Sequence, residues 1–520
     1  MRTNSNFGGH SSNDPQLDEV VCASLRQLFP TATFFQCEDV NASDVALTID
    51  QMREGATAVF RSGEDDPVEF AAMALATGVA AILTDQLLPC PLPQVIVLDV
   101  EMAAAELINE LAGRPGLQLM MIGVVGNAGK TTTALMVAGV LRGLGIRTAY
   151  ETDLGSSDGI VQSVDEQKVP RGATLVQRIA DARDSACGAA VVEFSSEVAA
   201  AHSGIAFDLL VVTGSTSHSG LLKAESQFGP DPLSVALEHL ATDGVVIVPA
   251  DHPRLVRHVD DTGHKRITYG LRREAELSAK VFDNQPGETT LMVSCGDETA
   301  MMETKHCGEA MAMNQLAAIA VAMLLETSLC EAIELVCRLP IVPGRMQRIA
   351  GFDSAAIVLD AGGDFARIST TLRTLRQQRS GGKLWCVMTL DQSAPNTGDD
   401  SAICGRLIER YADRVILTST EENKPHFLQS AHGLLDGFRE VTVARLVADR
   451  QRAIQWVMQH AAPSDTILVL GGVEGDNARA RRSRIQTLEA MVKRCQSGPS
   501  VKRSSGPATV KMPGLRVADC

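Results

Sequence analysis

Short apolar runs that close on Gly, Asp, Ser or Thr alternate along this chain with longer stretches of helical periodicity. The runs fall at Ala80–Leu83, Gln94–Leu98, Leu119–Val125, Ala189–Phe194, Leu209–Thr213, Val245–Val248, Ala355–Leu359, Leu384–Leu390, Arg414–Leu417 and Thr466–Leu470. Strands apolar throughout, rather than at every second residue, suit parallel sheets covered by helices on both faces. Repeated β-then-α order therefore predicts α/β domains. A helix is expected over Ala134–Leu144, stopped by Gly145, and a more apolar one over Met311–Leu325, broken only by Asn314 and Gln315. No apolar run reaches the ~18 residues of a membrane-spanning helix.

Breaks in the pattern divide the chain. Pro340-Ile-Val-Pro-Gly344 stops one helical segment, and Arg114–Gly116 precedes the run that leads into a glycine-rich turn. The expected layout is an N-terminal domain over residues 19–116, a central domain over 117–342 and a C-terminal domain over 343–496. Residues 1–18 and 497–520, rich in Asn, Ser, Gly and Pro, are expected to be disordered.

Composition narrows the function. Among 520 residues, 47 Lys and Arg against 63 Asp and Glu leave a net charge of −16, and aromatics make up 4%. Such a chain lacks the clustered cations of a dedicated nucleic-acid binder. Twelve cysteines are scattered singly with no CxxC pair, which fits thiols kept in a reducing compartment rather than zinc or disulfides. The first residues have no apolar core for a secretory signal, so the expectation is a cytoplasmic protein.

The sharpest chemical signal is Leu119-Met-Met-Ile-Gly-Val-Val-Gly126-Asn127-Ala128-Gly129-Lys130-Thr131-Thr132-Thr133. It reads as a strand, a glycine turn and a helix start. Backbone N–H groups of such a turn face phosphate, the lysine adds a mobile cation, and a threonine hydroxyl can reach Mg²⁺. Generic P-loop spacing would place the first glycine at Val124, so the loop is a shifted variant.

GNAGKT resembles the loop of the Mur ligases, ATP-dependent amino-acid ligases of peptidoglycan precursor synthesis, whose first glycine is shifted in the same way. The resemblance runs from about residue 40 to 495 and is strongest to the members that add the third residue of the stem peptide. Further support comes from Gly78-Val-Ala-Ala-Ile-Leu83, Gly308 with Asn314-Gln-Leu-Ala-Ala318, Pro343-Gly-Arg-Met346 and Gly382-Lys-Leu-Trp-Cys-Val387. It implies three α/β domains: a central P-loop parallel-sheet ATPase, a Rossmann-like C-terminal domain and an N-terminal domain for a UDP-sugar substrate. It implies ATP and Mg²⁺ as cofactors, with a UDP-sugar peptide and an amino acid as substrates.

Carried over by position, Gly126, Asn127, Gly129, Lys130, Thr131 and Thr132 would cradle the triphosphate, with Lys130 neutralising it. Thr131, Glu193 and His218 would hold metal, though His218 reads equally well as a surface histidine. Asn314 would contact the nucleotide, and Arg345 and Asp360 would close over it. The acceptor side departs from the family. Gly229-Pro-Asp-Pro-Leu-Ser offers no lysine where the family carbamylates one, and Lys223 is the nearest substitute. Thr418-Ser-Thr-Glu-Glu-Asn-Lys424 replaces the diaminopimelate-gripping Asp-Asn-Pro-Arg, and Gly471-Gly-Val-Glu-Gly475 replaces Gly-Lys-Gly-His-Glu. Asp50-Gln-Met-Arg53 stands for Asp-Ser-Arg at the uridine site.

Overall fold

The computed structural model of the chain describes residues 22–163, 172–195, 198, 204–214, 232–285, 288–306, 308–349, 355–363, 365–378, 381–390, 398–475 and 477–497. They fall into two units. The first comprises Met1–Arg345, Asp364–Thr374 and Glu474–Ser483; the second comprises Met346–Gly363, Leu375–Val473 and Arg484–Cys520. Among the described residues no helix is long and apolar enough to cross a membrane.

The first unit opens with a five-stranded sheet ordered Thr33–Phe35, Gln94–Ile96, Ala81–Thr84, Thr57–Val59, Val45–Ala46, parallel except at the first pair. The helix Pro67–Thr77 packs on it. Its start is fixed by Asp66, whose carboxylate accepts the amides of Val68 and Glu69, and Pro67 occupies the first turn at no hydrogen-bond cost. Phe70 then meets Phe60 edge to face, ring centres 5.1 Å apart.

The larger sheet of this unit has eleven described strands. Its heart is Thr148–Thr152, Ala189–Phe194, Met120–Val125, Phe207–Val212, Leu240–Pro249 and Lys265–Gly270, all parallel in that spatial order. Val125 lies level with both Phe194 and Val212, so the three central strands end together. The carboxyl edge of the sheet is therefore a shelf from which Gly126, Ser195 and Thr213 all emerge, the place where open α/β sheets hold ligands. The helix Lys130–Gly143 continues from the glycine turn. Gly139 and Gly143 let it approach its neighbour closely: a Cβ would fall 2.5 Å from Leu339 Cδ2 and 2.6 Å from Leu335 Cδ2.

The sheet ends in an antiparallel meander, Leu277–Gln285, Glu288–Cys295 and Glu298–Thr304, absent from the sequence expectation. These strands are rich in Ser, Thr, Glu and Met. Leu291 and Val293 are buried while Met292 and Ser294 are only partly so. Alternation of that kind suits a sheet wet on one face and carries no continuous apolar run.

In the second unit the order is Gln347–Ile349, Ala356–Asp360, Thr466–Leu470, Leu384–Leu390, Arg414–Ser419, Ala444–Asp449, antiparallel only at the first pair. Asp465 organises its amino edge. One carboxylate oxygen accepts the Lys383 amide at 2.7 Å; the other accepts the Trp385 indole N–H and the Ala462 amide, both at 2.9 Å. Burial pushes this carboxyl up, but the three donors outweigh it and hold its pKa below the usual value. A group depressed in this way stabilises the fold above its unfolded pKa, and the contribution is lost as pH falls through the folded one. Asp465→Ala should cost about 3 kcal/mol near pH 7, with the gap to wild type closing as the solution is acidified. Both tryptophans, Trp385 and Trp456, lie in this unit, so urea titrations followed by tryptophan fluorescence at several pH values check the expectation.

Candidate active site

Two glycines give the turn its shape. Gly126 has φ +149°, and a Cβ there would lie 2.1 Å from Thr213 Oγ1 and 2.7 Å from the Thr213 carbonyl oxygen. Thr213 is in turn fixed by its amide and hydroxyl, which donate to the Val125 carbonyl at 2.7 and 3.2 Å. Gly129 has φ +90°, and its Cβ would meet Asn314 Oδ1 at 2.5 Å. No other residue fits either position without displacing a neighbour. Lys130 opens the helix, partly exposed, while Thr131 and Thr132 are buried in its first turn.

The shelf brings Glu193 to this helix start. The last turn-ward residues of Ala189–Phe194 are buried, and Glu193 keeps only 4% of its surface. Thr131 Oγ1 donates to Glu193 Oε1 at 3.0 Å, and the Asp153 amide donates to Oε2 at 3.0 Å. Burial pushes the Glu193 carboxyl up from its ordinary pKa. The nearby Asp153 charge adds to that, while Lys130 and the two hydrogen bonds oppose it. A buried acid with its pKa pushed up beside a lysine and a glycine turn makes this a candidate functional site.

Asn314 reaches the turn from the helix Glu309–Leu324 and donates to Met311 Sδ at 3.9 Å. Arg345 belongs to the same unit, and its Nη1 is buried with no hydrogen-bond partner. Asp360 lies in the second unit, where its carboxylate accepts the amides of Met346 and Gly362 at 3.0 and 2.9 Å and so ties down its own turn. His218 and Lys223 lie outside the described residues. Asp153 is the member the sequence reading missed. It follows a strand, Thr148–Thr152, too polar and short to be picked out, and its role runs through a backbone amide that no side-chain motif reveals.

These residues suit a nucleotide and a hard cation. The glycine cradle is one a Cβ would fill, the Arg345 Nη1 is an orphaned donor, and Thr131 with Glu193 offers the oxygen ligands that Mg²⁺ takes beside phosphate. Among the described residues no group of three or more His, Cys, Asp or Glu could hold a metal. Glu193→Gln should raise the melting temperature of the nucleotide-free protein at neutral pH by a few degrees, roughly 1 kcal/mol. The amide can accept from Asp153 and donate to Thr131 while removing the cost of burying an acid. Calorimetry against wild type checks it.

The sequence model described as "Mur ligase middle domain" matches residues 124–322, and "Mur ligase, glutamate ligase domain" matches residues 344–473. A UDP-N-acetylmuramoyl-L-alanyl-D-glutamate–2,6-diaminopimelate ligase of Streptomyces coelicolor is 27% identical over 423 residues, 78% of this chain and 82% of the relative. One from Geobacillus kaustophilus is 25% identical over 456 residues, 83% and 90% of the two chains. Among solved structures, a UDP-N-acetylmuramoyl-L-alanyl-D-glutamate–2,6-diaminopimelate ligase superposes with TM-score 0.62 at 18% identity, covering 90% of this chain and 99% of that one. A MurF ligase from Thermotoga maritima in complex with ADP gives 0.63 at 16% identity, covering 87% and 98%.

Proposed function

Because the chain belongs to the Mur ligase family, we propose that it is an ATP-dependent ligase of peptidoglycan precursor synthesis, joining a UDP-N-acetylmuramoyl-peptide carboxylate to an amino acid. The observation that carries this reading is the bond between Thr131 and the buried Glu193 under the glycine turn. The curated relatives named above are diaminopimelate ligases acting on a UDP-N-acetylmuramoyl dipeptide, and the third-residue step of the stem peptide is the finer form of the proposal.

In this reading the acceptor carboxylate attacks the γ-phosphate and ADP leaves. The amino-acid amine then adds to the acyl phosphate and expels inorganic phosphate, leaving an amide. Neither step needs a covalent bond to the protein, so positioning and charge neutralisation supply the catalysis. The amides of Gly126, Asn127 and Gly129 and the side chains of Lys130 and Thr132 hold the phosphates. Asn314 contacts the nucleotide, Arg345 offers its unpartnered Nη1 to a phosphate oxygen, and Asp360 orders the turn that follows Arg345. Thr131 and Glu193, with His218 as a further candidate, would hold Mg²⁺, which supplies charge neutralisation between phosphate oxygens.

The altered acceptor-side residues, Thr418 to Lys424 and Gly471 to Gly475, point to an amino acid other than the diaminopimelate that Asp-Asn-Pro-Arg grips. The test is phosphate release by the purified chain with ATP, UDP-N-acetylmuramoyl dipeptide and a panel of amino acids. Release that requires both acceptor and one amino acid is expected. Lys130→Ala should reduce it at least a hundredfold, the scale of losing one aligned charge-stabilising donor, ~10²–10³. Nucleotide binding with no release across the panel would instead favour a family member that binds ATP and serves as a regulator.

A further inference from the structure

Segment 474–483 belongs to the first unit, and it carries a cation that no motif singled out. The Arg481 side chain is 16% exposed. Its Nη1 donates to the Asp153 carbonyl at 3.1 Å and lies 3.5 Å from Asp153 Oδ1, while Nε donates to the Gly475 carbonyl at 3.2 Å. Arg482 flanks the other end of the same turn: a Cβ on Gly155 would come within 3.4 Å of its Nη2. Two consecutive arginines therefore bracket Asp153-Leu154-Gly155.

That short turn delivers the amide that Glu193 Oε2 accepts. That hydrogen bond draws the turn toward Glu193 while the Asp153 carboxylate is repelled by the same acid, so a further partner on Asp153 helps to hold the turn in place. Three acids meet here, Glu151, Asp153 and Glu193, and the charges that act on them come from Arg178, Arg481 and Lys130. Arg178 is paired with Glu151 and the Lys130 charge acts on Glu193, while Asp153 is held by Arg481. Arg481 donates to Asp153 and Gly475, with Glu474 Oε2 4.0 Å from its Nε, so it acts through the turn rather than on a phosphate.

We propose that Arg481 is a positioning residue of the nucleotide site: by gripping the carbonyl and the carboxylate of Asp153 it fixes the amide that aims Glu193, and so sets the affinity for the divalent cation that accompanies the triphosphate. The inference rests on the nucleotide reading of the site. Partners that orient a metal's ligand typically matter by about 10–100-fold in metal affinity, although they never touch the ion.

The test measures ATP affinity of the full chain by calorimetry in MgCl₂ and in EDTA. Arg481→Ala should lose about tenfold of the gain in affinity that Mg²⁺ confers while its affinity in EDTA stays within about twofold of wild type. Arg481→Lys keeps the charge without the planar fork and should recover less than half of the loss; it also serves if the alanine variant does not fold. Adding Asp153→Asn to Arg481→Ala should not restore the gain, because the grip on the carbonyl is still missing. A wild-type Mg²⁺ gain in Arg481→Ala overturns the proposal. So does an equal fall in EDTA, which would mean a structural role alone, and so does rescue by Asp153→Asn, which would mean charge alone. Absence of Mg²⁺-dependent affinity in the wild-type chain would overturn the nucleotide reading and this inference with it.

Discussion

One buried carboxylate constrains the rest of the candidate site. Glu193 sits, almost fully buried, at the end of a strand that is apolar on both faces, and an acid in that setting needs partners. Its partners are three groups from two segments: the Thr131 hydroxyl and the Lys130 charge at the start of the helix Lys130–Gly143, and the amide after Thr148–Thr152. None of these groups satisfies Glu193 unless the strands Thr148–Thr152, Ala189–Phe194 and Met120–Val125 lie side by side, with Glu151 level with Val192 and Val124 level with Glu193. Parallel pairing in this register supplies that condition. The acid is thus held ready at a cost to the empty protein, the usual arrangement where a charge is kept for a ligand.

The glycines of the turn belong to the same constraint. Gly126 and Gly129 are needed for two reasons at once, a positive φ and the closeness of Thr213 and Asn314. The same residue type works elsewhere by closeness alone: Gly139 and Gly143 bring the helix behind the turn against Leu339 and Leu335. A helix seated this tightly on its neighbour holds its N-terminus, and so the phosphate-facing amides, in one place. The small residues thereby couple the packing of the unit to the geometry of its site.

Much of the architecture was legible. The runs Ala189–Phe194, Leu384–Leu390 and Thr466–Leu470 are strands over those residues, and most other runs are strands displaced at one or both ends. Continuous apolar character is a strong signal because burial on both faces demands it. Strands that escaped are those without that demand. Thr148–Thr152 carries Glu151 inside it, paired with Arg178, and the meander Leu277–Thr304 alternates buried and half-exposed positions with few aliphatic residues. The Asn314 position was also legible through its family motif, but its closeness to Gly129 was not, since 184 intervening residues separate them along the chain.

The sequence by itself determined the local chemistry: a glycine turn whose backbone only glycine tolerates, a helix that must follow it, an acid at the end of a buried strand, and an apolar pattern that commits the chain to parallel sheets. These depend on near neighbours and on the period of the pattern. The tertiary structure alone decided which distant groups share a site. Asp153 faces Glu193 by a backbone amide, Asp360 accepts the amides of both Met346 and Gly362, and Arg481 arrives from a segment 328 residues beyond Asp153. Strand order and register set those meetings, and neither is encoded in any short stretch of residues.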